Sequence, residues 1–155
     1  MKTADLLRLI SFTGQVLVAG YSFIAKVQRA PAEIRALMQE TASLNILLDQ
    51  LQSLVIDNDD VNSVNEKDEP IIYKTGGYAL HTLETLGVFE NCERLMRVVQ
   101  QSVKACEQIQ GQQVKNLGRK LIWPFKEKET KDTMQQLGRL RETLSAAVVV
   151  DSARS

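Results

Sequence analysis

His81, Cys92 and Cys106 are the only histidine and the only cysteines in 155 residues. A metal site or a nucleophilic couple would have to be built from them. Zinc ligation or a His-based triad needs partner side chains at matching spacing, and the cysteines lie three helical turns or more from His81 along the chain. His81 therefore reads as structural or solvated. The two cysteines are fourteen residues apart in a segment that reads as helical throughout. One continuous helix would separate them by roughly 21 Å, whereas a disulfide needs Cα atoms within about 7 Å. Both fall on an apolar stripe. Two buried free thiols, with no Asn-x-Ser/Thr acceptor in the chain, suit a reducing compartment and favour the cytosol.

Other candidate chemistry fails on pattern. "KTGG" at 74–77 lacks the Gly, four residues, Gly-Lys-Ser/Thr order of a phosphate loop and reads as a helix-entry turn. The stretch "DNDDVNSVNEKDEP" at 57–70 sets six carboxylates against Lys67. Counted from Asp57 as a calcium loop, its fifth position is Val61 and its sixth Asn62, where an EF-hand needs an oxygen ligand and a glycine. It reads as a solvated connector. The basic segment is more informative. Lys115, Arg119, Lys120, Lys126, Lys128 and Lys131 stand against Glu127 and Glu129, with Trp123 and Phe125 between them. Basic residues beside Trp and Phe can dock on anionic lipid, at about 1 kcal/mol per basic side chain near the surface. The plainer reading is a helix connector whose Trp packs into the bundle end while its lysines point to water. The two are compatible.

The elements that would carry these residues are helices. Aromatics are 5% of the chain and apolar residues 44%, with long stretches of Leu, Gln, Glu, Lys, Arg and Ala. Residues 3–28 form a first candidate helix holding "LISFTGQVLVAGYSFIA", which has no charge from Leu9 to Ala25. At 100° per residue Arg8, Ser11, Gln15, Ser22 and Lys26 fall on one narrow strip, with Ala19 between. Leu6, Leu7, Leu9, Ile10, Phe12, Val16, Leu17, Val18, Phe23, Ile24 and Val27 fill the rest. An apolar arc near two thirds of the circle is wider than the ~100° stripe of a surface helix. Such a helix must be surrounded on most sides by helices or by lipid. A secretory signal is disfavoured, because Asp5 follows Lys2 and no small-residue cleavage site is clear. A permanent span is also disfavoured: the uncharged run covers only about 25 Å of a ~30 Å hydrocarbon core. A structural core helix and a helix that leaves a resting bundle for a bilayer both remain.

"RAPAE" at 29–33 breaks the pattern at Pro31, which suits the first turn of a new helix. That helix runs to about Val55. Ile34, Leu37, Thr41, Leu44, Leu48, Leu51 and Val55 alternate steps of three and four, a bundle seam, widened by Met38, Leu47 and Leu54. From about Tyr78 the period resumes in Phe89, Cys92, Met96, Val99, Val103 and Cys106, flanked by Leu95 and Ile109, with a possible split at Gly87 or Gly111. "WPF" at 123–125 ends this segment. A last helix from near Lys126 to near Asp151 carries Met134, Leu137, Leu140, Leu144, Ala147 and Val148. The expected fold is an all-α, four- to five-helix bundle with a largely buried N-terminal helix, one domain over 1–151 with a polar tail at 152–155.

The order of features resembles the HeLo-like N-terminal domains of fungal STAND (NOD-like) and ankyrin-repeat proteins. The resemblance rests on the apolar first helix with Gly14 and Gly20, on "VQRAPAEIRALMQETASLNILLDQLQSLV" at 27–55, and above all on "KLIWPFKEKETKDTMQQLGRLRETLSAAVVVD" at 120–151. It spans nearly the whole chain, and residues 57–88 match poorly. It implies a non-enzymatic, cofactor-free effector of programmed cell death and heterokaryon incompatibility, cytoplasmic at rest. Activation by oligomerisation would send it to the plasma membrane, where the first helix inserts and permeabilises the bilayer. On that reading Leu6, Leu9, Ile10, Phe12, Val16, Leu17, Val18, Phe23 and Ile24 would meet lipid. Ser11, Gln15 and Ser22 would line a polar interior. Lys115, Arg119, Lys120, Trp123, Phe125, Lys126 and Lys128 would contact anionic headgroups. The implied partners are anionic membrane lipids, further copies of the chain and a downstream nucleotide-binding or repeat domain. Nineteen basic residues balanced by nineteen acidic ones give no reason to expect nucleic acid. The competing expectation is a soluble signalling module that binds partner proteins through an exposed helical seam.

Overall fold

The structure, a computed structural model, describes residues 3–27, 30–64, 81–113 and 123–154. Every regular element among them is helical. The four long helices are α1 (Thr3–Lys26), α2 (Ala32–Val64), α3 (Val88–Gln113) and α4 (Glu127–Arg154). A short helical stretch at 81–85 precedes α3. It is set off by Gly87, whose φ of 69° lies in the left-handed region that glycine reaches without strain. This is one of the two breaks anticipated. The other does not form: α3 runs through Gly111 to Gln113.

The heptad seams form as read where side chains are described, with Met134, Ala147 and Val148 of α4 half-buried against the core; the side chain of Val55 lies outside the described residues. Ile34, Leu37, Thr41, Leu44, Leu48 and Leu51 of α2 are all buried, as are Phe89, Cys92, Leu95, Met96, Val99, Val103 and Cys106 of α3 and Leu137, Leu140 and Leu144 of α4. Among the four long helices described, α2 packs on all three others, whereas α1 packs on α2 and α3. Around the bundle the order is α1, α2, α4, α3, with α1 and α4 across one diagonal. Contacts set the directions. Asn45 meets Ile10 and Met38 meets Gly20, so α1 and α2 are antiparallel. Arg141 donates to Glu40 at 3.0 Å from α4 to α2, and Arg94 donates to Gln136 at 2.7 Å from α3 to α4.

Two boundaries differ from expectation. α2 continues to Val64, through the first half of the segment read as a connector. No glycine or proline lies between Pro31 and Pro70, and Asp, Asn and Ser each cost a helix interior no more than about 0.7 kcal/mol. Residues 65–80, with the rest of that segment and "KTGG", lie outside the described residues. α4 also runs on to Arg154, taking in most of the expected polar tail.

Candidate functional site

α1 is a corner helix. With two neighbours it buries one face: Leu6, Leu9, Thr13, Val16, Gly20 and Phe23, spaced by three and four. Ile10, Phe12, Leu17, Ala19, Ile24 and Val27 are half-buried against the core. Leu7, Val18 and Tyr21 are 45%, 72% and 47% exposed. The expectation of a helix enclosed on most sides is therefore corrected. The wide apolar arc divides into a buried stripe and an outward apolar edge, because the fourth helix sits across the diagonal. The helix is long and apolar enough to cross a bilayer by length and composition. Its 24 residues span about 36 Å.

The polar strip lies where its periodicity put it. Arg8, Ser11, Gln15, Ser22 and Lys26 are exposed. Asp5, Arg8, Ser11 and Gln15 border an open groove of about 650 Å³ whose far wall is Glu93, Arg97, Gln100 and Gln101 of α3. The arginines pair within their own helices, Arg8 with Asp5 at 2.6 Å and Arg97 with Glu93 at 2.9 Å. Such exposed pairs contribute only a few tenths of a kcal/mol each. The outward face is uncharged for the length between Arg8 and Lys26.

Two features that hold α1 in place were not read from the sequence. Asn45 Nδ2 donates to the Ile10 carbonyl at 3.2 Å, a polar tie from α2 to α1. Gly20 lies so close to the buried Met38 that a Cβ there would collide with the thioether sulfur. The spacing gave one usable signal, a glycine on the buried stripe between Val16 and Phe23. Thr13, buried on the same stripe, satisfies its hydroxyl by donating to the Leu9 carbonyl at 2.7 Å.

At the other candidate site Trp123 and Phe125 are half-buried. Their rings are 5.0 Å apart and tilted by 59°. Trp123 Nε1 donates to Thr130 Oγ1 at 2.8 Å, and Trp123 packs against the core, so the plainer reading of this tryptophan holds. Lys126 and Lys128 point to water. Glu127 and Glu129 alternate with them, and Glu127 pairs with Lys131 at 3.2 Å. The described part of the segment is therefore mixed in charge. Lys115, Arg119 and Lys120, which supply the excess of positive charge, lie outside the described residues.

Cys92 and Cys106 are buried and free. Burial, helped by the Glu93 carboxylate, pushes the Cys92 thiol up to about 12. Burial, with Glu107 and Glu33, pushes Cys106 up to about 11. Both are poor nucleophiles and poor metal ligands in this state. His81 is exposed. No group of three or more metal-ligating side chains occurs among the described residues. Comparison of the chain with family models, with curated proteins and with solved structures finds no match.

Proposed function

We propose that this chain is a membrane-targeting cell-death effector domain of a fungal NOD-like-receptor type protein, acting without catalysis. It rests in the cytoplasm as the folded bundle, oligomerises on activation and inserts α1 into the plasma membrane. One observation carries the reading. A helix of bilayer-spanning length and apolarity occupies a corner with two neighbours and turns an uncharged face to solvent.

The energetics suit reversible storage. Leu6, Leu9, Val16 and Phe23 are the large apolar side chains of α1 that are buried. At about 1.5–3 kcal/mol each they hold α1 by on the order of 10 kcal/mol in water. Lipid replaces those contacts, so α1 parts from the bundle where a bilayer receives it. The outward edge enters lipid at no cost to the fold. Ser11, Gln15 and Ser22, already on one strip, become the wall that neighbouring copies satisfy.

Exposure selects the test. Leu17 and Ile10 are half-buried, so a charge there damages bundle and insertion together. Val18 is 72% exposed, so Val18→Glu leaves the bundle folded yet places a carboxylate at the centre of the inserted helix, at a cost of about 3 kcal/mol. Dye release from vesicles of phosphatidylcholine and phosphatidylserine is expected for the wild type. For V18E, with an unchanged circular dichroism spectrum and melting point, it should fall at least about tenfold. Equal leakage by folded V18E contradicts insertion. Sealed vesicles at every dose, together with capture of a soluble partner, would favour the soluble-module reading.

A further inference from the structure

We propose that the seat of Met38 against Gly20 is the latch that keeps α1 on the resting bundle, and that its tightness sets how readily α1 departs. The purpose of the latch rests on the membrane reading above; its geometry does not. Met38 is fully buried on α2 and lies against the Gly20 backbone, where any side chain would overlap its sulfur. The contact brings the two helices close at the C-terminal half of α1, between Val16 and Phe23 on the same stripe. The atoms in the way are the sulfur, Cε and Cγ of Met38, the far end of a flexible side chain, but that side chain is fully buried and has no open solvent to swing into, so the obstruction falls on the helices. α2 is gripped by three helices and α1 by two, so α1 is the element that yields. Gly14 provides the internal contrast. It is the other glycine of α1, and a Cβ there meets nothing closer than Asn45 Nδ2 at 4.0 Å.

Gly20→Ala and Gly14→Ala therefore make the same gain in helix propensity and differ in the obstruction at Met38. Amide hydrogen exchange on the full chain, without membranes, reads the latch. Dye release from phosphatidylcholine–phosphatidylserine vesicles reads its consequence. Gly20→Ala is expected to speed exchange in α1 at least about fivefold relative to the α2, α3 and α4 cores, and to lower the protein dose that empties vesicles. Gly14→Ala should do neither. Met38→Ala alone, which empties the seat, should also speed exchange in α1 relative to the α2, α3 and α4 cores. Unchanged α1 exchange in Gly20→Ala overturns the latch. So does acceleration spread evenly over all four helices, because the contact would then be ordinary core packing. Selective loosening of α1 with vesicles that stay sealed supports the latch and counts against the membrane reading, so the two failures are distinct.

Discussion

The thiols of Cys92 and Cys106 show how the core treats groups that could otherwise react. With folded-state values near 12 and 11, both stay protonated at neutral pH and lie out of reach of solvent. Disulfide-exchange reagents at pH 8 should leave both unmodified in the native chain and label two thiols after denaturation; rapid native labelling would show that the α3 seam opens. The pH dependence has a definite sign. In the unfolded chain the thiols titrate near 9, and in the folded chain well above it. Between those values the unfolded state holds fewer protons, so stability falls as pH rises. The contribution of the thiols is intact below about pH 9 and declines toward pH 11–12. Urea midpoints measured from pH 8 to 10.5 should fall for the wild type and fall less for a Cys92→Ala, Cys106→Ala chain compared with its own value at pH 8.

At the scale of elements, the seams were legible because their apolar residues recur at three and four and because each helix had to find a partner. Leu44 and Leu48 were placed on the α2 seam by spacing alone, and both are fully buried. Leu44→Ala should cost about 2–5 kcal/mol in chemical denaturation. Leu7→Ala, on the outward edge of α1 and 45% exposed, should cost well under half as much. Equal costs would mean that α1 is enclosed after all. The corner position of α1 was not legible. Hydropathy reports which side chains can be buried, but the number of neighbours is decided by how α2, α3 and α4 pack. Val18 and Leu17 are chemically alike and adjacent, yet one faces water and the other leans on the core. The Asn45 tie and the Gly20 seat were hidden for the same reason, since each depends on a residue of another helix. The extension of α2 through Asp57 to Asp60 shows that acidic, Asn-rich composition does not end a helix without a backbone breaker.

Over the whole molecule the charges balance, with a sequence pI near 6.6, so attraction to a membrane would come from local patches and apolar surface. Lys126 and Lys128 are the basic residues of the proposed lipid-contacting segment that the structure describes. Replacing both with Glu should weaken co-sedimentation with phosphatidylserine-containing vesicles by roughly one to two orders of magnitude. It should leave binding to phosphatidylcholine alone unchanged. Insertion itself is the claim on which the account stands, and the buried cysteines make it directly measurable. A Val18→Cys chain carries one accessible thiol for an environment-sensitive fluorophore. With phosphatidylserine-containing vesicles, the account predicts a blue-shifted probe quenched by lipids spin-labelled deep in the acyl chains. A probe that keeps its aqueous spectrum and escapes such quenching while the vesicles are saturated with protein would contradict it.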